Sequence, residues 1–218
     1  MSSFNLSWVN QYVSKKEIVI FDIGAHNFVD SINFKRSFPN ANVYAFEADK
    51  VNVEKYGENA EAFGVKVINV AVSDTNGEAT FYNSETMNGK EWTCSGSLMK
   101  PVTINGTNEG THAGLLYNLE GYQVKTMKFE TFCDENKITP NVVHIDVQGA
   151  EKIVMSAIGK YRPEIVFAET CEFDTYETNT SLKEFDDLMF SLGYEIKQRL
   201  QFDTLYLHKE KTYNPFAR

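Results

Sequence analysis

The sequence is poor in cysteine and contains no long hydrophobic run. Its three cysteines, Cys94, Cys133 and Cys171, are far apart, and none belongs to a CxxC motif. This number and spacing argue against a zinc site or a disulfide framework, so we expect no metal and a reducing, cytoplasmic setting. No segment reaches the ~20 apolar residues that cross a bilayer, and residues 1–16 lack the apolar core of a signal peptide. We therefore expect no membrane partner.

An excess of basic residues is also lacking. The 218 residues include 21 Lys and Arg against 30 Asp and Glu, which gives a formal net charge of −9. Because an acidic surface repels a phosphate backbone, the composition disfavours a nucleic-acid partner. The hydrophobic content of 42% and charged content of 23% are typical of a globular protein. The length favours one domain that spans residues 1–218.

The first strand-turn unit lacks the glycines of a dinucleotide site. Residues 18–22 have the pattern of a buried strand, and the turn that follows contains only Gly24 before the bulkier residues 25–28. A G-x-G-x-x-G turn lets a pyrophosphate rest on the following helix, and this turn is too crowded for that. S-adenosylmethionine carries no phosphate, so the sequence favours it over NAD. A nicotinamide-dependent oxidoreductase is the alternative.

Acidic and small polar residues follow the strands of the predicted sheet. The strand over residues 42–47 ends in Glu47, an acid that can accept hydrogen bonds from both hydroxyls of a ribose. Ligands of open parallel sheets bind at the carboxyl ends of the strands, so we expect a site for an adenosine-containing cofactor there. The side chains at or just after those ends are Asp22, Glu47, Ser73, Asp74, Asp146 and Glu169.

The order of helix and strand patterns predicts an α/β fold. Strands over 18–22, 42–47 and 65–72 alternate with helices over 30–37 and 50–62, an order that predicts parallel pairing with right-handed crossovers. The other predicted elements are a leading helix within 1–16, strands over 142–146 and 163–169, helices over 150–158 and 181–192, and a final hairpin over 194–208. We predict an open, mostly parallel seven-stranded sheet with helices on both faces and an antiparallel C-terminal edge hairpin.

The middle of the chain departs from this alternation. Residues 74–77 form a strong turn signal before a strand pattern over 78–82, so a hairpin is predicted there. Residues 83–121 are rich in Gly, Ser, Thr and Asn and show no convincing core element. Segments of this length inside a domain are usually lids or binding loops. We therefore predict an insertion that covers the active site.

Five sequence blocks resemble one known family. They are residues 22–25 (DIGA), 46–48 (FEA), 70–74 (VAVSD), 145–151 (IDVQGAE) and a strand that starts with a proline and ends in Glu169. In these blocks the chain is similar to FkbM-type methyltransferases, S-adenosylmethionine-dependent enzymes of Rossmann-like fold. The resemblance implies methylation of an oxygen, such as a hydroxyl on a sugar or another small metabolite.

The same resemblance implies which residues bind the cofactor. They are Asp22, Gly24, Ala25, Glu47, Ala48, Ala71, Ser73, Asp74, Ser97 and Asp146. Two positions depart from the family pattern, in which Gly usually stands at Phe28 and Glu at Gln148. A bulky ring at position 28 is expected beside the carboxylate end of the cofactor. A related protein that keeps the fold without catalysis is therefore a further alternative.

Methyl transfer requires alignment of the acceptor and removal of its proton. Asp146 and Glu169, at the ends of two strands, are candidate catalytic carboxylates, and His26, in the first turn, is a candidate base. Each has a structural alternative: a helix cap for Asp146, an ion pair for Glu169, a surface donor for His26. The expected partner is a small-molecule acceptor, and the edge hairpin leaves a homodimer open.

Overall fold

Strands and short helices alternate along most of the chain, and the computed structural model describes residues 3–15, 17–170, 175–177 and 180–211. Cys171 lies outside these ranges. The strands are β1 (Val19–Ile23), β2 (Asn42–Phe46), β3 (Lys66–Ile68), β4 (Ala71–Ser73), β5 (Gly77–Phe81), β6 (Ser84–Met87), β7 (Lys90–Glu91), β8 (Leu115–Tyr117), β9 (Tyr122–Lys128), β10 (Val142–Ile145), β11 (Ile165–Glu169), β12 (Tyr194–Arg199) and β13 (Asp203–His208). The helices are α1 (Ser7–Tyr12), α2 (Val29–Ser37), α3 (Lys50–Ala62), α4 (Phe129–Asn136), α5 (Glu151–Ser156) and α6 (Leu182–Ser191).

Seven of these strands form the central sheet, in the order β12-β13-β11-β10-β1-β2-β3. All neighbours are parallel except β13, which runs antiparallel to both β11 and β12. The predicted sheet and its edge hairpin are therefore confirmed. The chain moves outward from β1 to β2 and β3, then returns to β10 on the other side of β1. Strand order reverses at this point, where open sheets bind ligands.

Helices cover both faces of the sheet, as predicted. On one face, Trp8 of α1 and Ala60 of α3 belong to an apolar cluster packed on the strands. On the other face, Phe132, Met155 and Phe185 bring α4, α5 and α6 into a second cluster. Because successive strand residues point to opposite faces, the strands between the layers are apolar on both sides. Among the described residues, no helix combines the length and apolarity needed to span a membrane.

The strand predicted over residues 65–72 is wrong, because two strands of different sheets occupy this stretch. β3 pairs with β2, whereas β4 pairs with β9. Between them, the Asn69 side chain donates to the carbonyl oxygens of Glu47 and Ala48 at 2.8 and 3.2 Å. These bonds tie the break to the end of β2, so the chain leaves the central sheet at Asn69.

The predicted hairpin at residues 74–77 is also wrong. A three-stranded sheet has the order β4-β9-β5, so β9 lies between the two strands that the turn connects. Asn76, in the turn, accepts a hydrogen bond from the Lys128 backbone N–H at 2.8 Å. The turn residue therefore binds the end of β9, and β9 pairs antiparallel with β5 and parallel with β4.

Residues 83–121 contain more regular structure than the sequence predicted. β6, β7 and β8 form a small separate sheet with β6 in the centre. Leu115 and Tyr117 of β8 are buried in a local apolar cluster with Tyr176. This sheet has its own small core, and Leu116 of β8 also forms an isolated bridge with Glu109.

Candidate active site

The turn after β1 brings the chain against the end of β10. Gly24 has a φ of +86°, and a Cβ at this position would lie 1.7 Å from the carbonyl oxygen of Asp146. The backbone N–H groups of Gly24 and Ala25 both donate to the carbonyl of Phe46, at 2.9 and 3.0 Å. Only glycine fits so close an approach. The turn therefore joins the ends of β1, β2 and β10 around one crevice.

Phe28 turns its ring away from this crevice, contrary to the expectation from sequence. Its φ is +61°, and its side chain is fully buried in the apolar cluster under α1, α2 and α3. A left-handed backbone costs a non-glycine residue about 1–2 kcal/mol. Glycine adopts this backbone conformation without that cost. The ring lines neither of the cavities described below.

Glu47 closes one end of the crevice with a buried carboxylate. Oε2 accepts a hydrogen bond from the His26 backbone N–H at 2.7 Å, and Oε1 accepts one from the Asp49 N–H at 2.8 Å. The Asn52 amide lies 3.4 Å from Oε1. Burial raises the pKa of Glu47 to about 7, although these hydrogen bonds oppose the shift. Close to neutral pH this carboxyl therefore titrates.

A cavity opens beside Glu47. One end is polar, because Glu47 and the buried Oδ1 of Asn52 lie there, and this oxygen has no hydrogen-bond partner among the described residues. The other walls are largely apolar side chains from β2, β4, β5 and the loops beside them: Phe46, Ala48, Val70, Ala71, Val72, Phe81 and Leu98. The cavity thus has apolar walls next to hydrogen-bond acceptors.

The segment over residues 93–98 forms a roof over this cavity. The Thr93 hydroxyl lies 3.1 Å from Nε2 of His26, and the Thr93 carbonyl accepts from the Asn52 amide at 3.3 Å. Ser97, which is almost fully buried, donates from Oγ to the carbonyl of Val147 at 3.3 Å. Burial lowers the pKa of His26, against the opposing charge of Asp146, so its ring is neutral at pH 7.

A second cavity lies beside the first, and Gln148 lines both. Its walls come from the small sheet, the loop after β10, the end of β11 and α6. Aromatic rings and carboxylates face it together, among them Trp92, Tyr117, Tyr176, Glu151 and Glu169. The buried Oγ1 of Thr175, which also lines it, has no hydrogen-bond partner among the described residues. Such a surface suits a small polar molecule with apolar faces.

Gln148 lines both cavities. Its amide nitrogen donates to Oδ1 of Asp146 and to Oε2 of Glu169, at 2.7 Å in each case. Its carbonyl oxygen lies 3.4 Å from the hydroxyl of Tyr176, which also donates to the Ser95 carbonyl. The backbone of Gln148 is left-handed, with φ of +55°. One side chain thus connects an acid of the first cavity to an acid of the second.

Glu151 supports the loop that carries Gln148. Its Oε1 accepts from the backbone N–H groups of Val147 and Gly149 at 3.1 and 3.2 Å. Burial raises the pKa of Glu151 to about 7, and the nearby charge of Asp146 adds to the rise. These contacts hold in place the loop that lies between the two cavities.

The structure brings most of the predicted site residues together. Those that line the first cavity are Gly24, His26, Glu47, Ala48, Ala71, Ser97 and Asp146, and Glu169 lines the second. Ala25, Ser73 and Asp74 line neither cavity. Ala25 packs in the apolar cluster under α1 to α3, and the Ser73 hydroxyl bonds Asp74 at 3.3 Å.

Asp22 also lies away from both cavities. Its Oδ1 bonds Nδ1 of His144 at 2.7 Å, and its Oδ2 accepts from the Ser31 hydroxyl. Burial alone would lower the pKa of His144, but the hydrogen bond and charge of Asp22 outweigh it and raise that pKa to about 9. The Asp22 carboxylate therefore forms a buried ion pair behind the turn, and Ser31 links it to α2.

Sequence reasoning missed Asn52 and Thr93, which line the first cavity. Asn52 carried a readable signal, because it lies in the first turn of the helix that follows Glu47 and reaches back toward that acid. Thr93 carried none, since its position depends on the fold of residues 83–121. Among the described residues, no group of three His, Cys, Asp or Glu side chains could hold a metal ion.

Comparison with known protein families gives a match over most of the chain. A family model described as the methyltransferase FkbM domain matches residues 22–196. The match begins in β1 and ends in β12, so it contains every residue named above in either cavity.

Two relatives illustrate the likeness. A curated protein, 2-O-methyltransferase NoeI of Sinorhizobium fredii (strain NBRC 101917 / NGR234), is 27% identical over 210 residues, which cover 88% of this chain and 80% of that protein. The crystal structure of methyltransferase FkbM from Methylobacillus flagellatus KT aligns with a TM-score of 0.51 and 13% identity. That alignment covers 92% of this chain and 47% of the longer protein, so the chain spans about half its length. At this identity the second likeness shows the fold alone.

Proposed function

The chain belongs to the FkbM family of S-adenosylmethionine-dependent methyltransferases, and we propose that it methylates a hydroxyl oxygen of a sugar or another small metabolite. Membership confirms the family resemblance found in the five sequence blocks. It also sets aside the nicotinamide-dependent alternative. The observation that carries the proposal is the pair of adjoining cavities that share Gln148 as a wall.

We propose that S-adenosylmethionine binds in the first cavity. Ribose hydroxyls need acceptors, and both the Glu47 carboxylate and the unpartnered Oδ1 of Asn52 supply them. Adenine needs a flat apolar slot, which Ala71 and Phe81 border. The residues that we propose to hold the cofactor are Gly24, Glu47, Ala48, Asn52, Ala71, Ser97 and Asp146. We assign Asp22, Ala25, Ser73 and Asp74 to support of this site rather than to contact.

When bound, S-adenosylmethionine supplies an electrophilic methyl group. We assign the removal of the acceptor proton to Asp146, because this carboxylate lies at the boundary of the two cavities. Glu169, on the acceptor side, orients the hydroxyl by accepting a hydrogen bond. His26, a neutral ring in the first cavity, is the second candidate base, and its contact with Thr93 also supports the roof.

The second cavity supports a carbohydrate acceptor. Sugars present both apolar CH faces and rows of hydroxyl groups, which match aromatic rings such as Trp92 and acceptors such as Glu169. The unpartnered hydroxyl of Thr175 offers a further hydrogen bond. The relative named as a 2-O-methyltransferase supports oxygen as the methylated atom.

Calorimetry tests the cofactor site directly. We expect S-adenosylmethionine and S-adenosylhomocysteine to bind the wild type, and Glu47→Ala to lose more than about 100-fold in affinity, because the ribose loses a charged acceptor. Glu54→Ala removes an exposed acid from α3, the helix that follows Glu47, and serves as the matched control. Absence of binding by the wild type would overturn the proposal. Transfer of labelled methyl groups to a panel of sugars then tests the acceptor.

A further inference from the structure

One amide nitrogen holds two acids from different strands. Nε2 of Gln148 lies 2.7 Å from a carboxylate oxygen of Asp146, after β10, and 2.7 Å from one of Glu169, at the end of β11. The amide carries no charge and has two hydrogens, so it can donate one to each acid. The opposite end of the amide lies 3.4 Å from the Tyr176 hydroxyl. The side chain is therefore oriented from both ends.

The surroundings of this pair include other charged and titratable groups. Glu151 supports the loop from α5, and the His26 ring lies on the opposite side, in the first cavity. The further groups that line the cavities or act electrostatically on these acids are Cys94, His112, Tyr117, His144, Lys152, Tyr176 and Asp203. Lys152 pairs with Glu184 at 3.6 Å. The Gln148 amide bonds both acids.

Two carboxylates in contact with no donor between them would share one proton. A donor that bonds both lets each keep its charge, because each anion gains a hydrogen bond. A glutamate at position 148, the residue usual in the resembling family, could not do this, since it would add a third acid. The amide is therefore a feature of this chain with its own electrostatic consequence.

We propose that Gln148 is a positioning residue that holds the Asp146 and Glu169 carboxylates side by side at the boundary of the two cavities, so that the cofactor side and the acceptor side both face a charged acid. This inference rests on the proposed function for the roles of the two acids. The paired charge favours a cationic cofactor in the first cavity over its neutral product.

Gln148→Met tests the charge at the boundary, because methionine keeps the length of the side chain and removes the donor. We expect the preference for S-adenosylmethionine over S-adenosylhomocysteine, measured as a ratio of dissociation constants, to fall about fivefold. The affinity for S-adenosylhomocysteine should stay within about twofold. A merely structural role would weaken both ligands equally, and that result would overturn the inference.

Gln148→Glu tests the contact itself without any ligand. Three carboxyl groups within hydrogen-bond reach must share a proton in the folded state, and a raised pKa of an acid stabilises the fold at low pH and is lost as pH rises. We expect the melting temperature of the variant, relative to wild type, to fall by about 4 °C more at pH 8 than at pH 5.5. The control, Gln123→Glu, adds the same charge at an exposed position and should show no such trend.

The two experiments distinguish a failure of this inference from a failure of the proposed function. If the wild type binds neither nucleoside, the proposed function fails, and the melting series still decides whether Gln148 bridges the acids. If both nucleosides bind and their ratio is unchanged in Gln148→Met, the inference alone fails. The inference would also be overturned if the melting temperature of Gln148→Glu, relative to wild type, fell by the same amount at both pH values.

Discussion

The two cavities are built in different ways. The first lies at the ends of β1, β2 and β10, where backbone hydrogen bonds and the close approach at Gly24 fix the walls. The second is walled in large part by the small sheet and the segment around Tyr176, which lie outside the central sheet. The first is therefore held by the fold itself. The second cavity can change its lining with less effect on the fold. We therefore expect acceptor specificity to depend on this cavity.

The largest expected effect tests whether the strand ends fix the first cavity. Gly24→Ala places a Cβ 1.7 Å from the Asp146 carbonyl, so the ends of β1 and β10 must move apart. We expect loss of detectable S-adenosylhomocysteine binding and a stability loss of about 3 kcal/mol or more, measured by calorimetry and urea unfolding.

Gly89→Ala is the matched control in the small sheet region. Gly89 also has a positive φ, of +74°, but a Cβ there meets nothing within 4 Å. We expect only the cost of the left-handed backbone, about 1 kcal/mol, and unchanged cofactor affinity. Equal losses for the two variants would contradict the contrast between the two regions.

An intermediate effect comes from the titration of Glu47. A ribose that donates to this group requires the ionised carboxylate, and burial raises the pKa of Glu47 to about 7. We expect affinity for S-adenosylhomocysteine to rise about tenfold from pH 6 to pH 8. Binding at pH 6 should release close to one proton, measured by calorimetry in buffers of different ionisation enthalpy, and none at pH 8.

The same raised pKa has the opposite sign for stability. An acid whose pKa rises on folding contributes stability at low pH, and this contribution is lost as pH rises from its ordinary 4.5 through about 7. Unliganded protein should therefore lose stability over this range while ligand affinity increases. Uptake of protons on binding at pH 6 would show that Glu47 does not bind the ribose as a carboxylate.

The smallest expected effect lies at the border of the two regions. Thr93→Val keeps the shape of the side chain and removes the hydroxyl that lies 3.1 Å from His26. One hydrogen bond of the roof is worth about 1 kcal/mol, so we expect S-adenosylhomocysteine to dissociate about fivefold faster, measured by stopped-flow displacement. An unchanged rate would place the roof outside the path by which the ligand leaves.

Local patterns account for what the sequence predicted well. Asp49 precedes the helix pattern over 50–62 and indeed caps α3, where its side chain accepts from the Val51 N–H at 2.8 Å. Glu47 follows an apolar strand pattern, and the structure places it in the first cavity. Both features depend on neighbours in the chain, which a single sequence displays. The role of Glu47 stays a prediction.

Distant pairings account for what the sequence could not reveal. β5 pairs with β9 through Gly77 and Thr126, and no local pattern indicates which strand will insert beside a turn. Asp22 turns from the crevice because its partner, His144, lies 122 positions away on the neighbouring strand β10. Apart from Glu169, which the sequence predicted, much of the second cavity is assembled from segments of this kind, so most of its lining could not be foreseen.

At Phe28, the size of the side chain and the direction in which the backbone points it are separate properties. A comparison of sequences would treat them as one. Its dihedral angle costs about 1–2 kcal/mol, and burial of its ring contributes about as much in the other direction. Phe28→Gly would relieve the strain but also leave a cavity, and truncation of a buried phenylalanine costs about 3–5 kcal/mol, so we expect a net loss of stability. A large residue in a glycine position thus does not by itself obstruct a ligand, because the backbone decides where its bulk is directed.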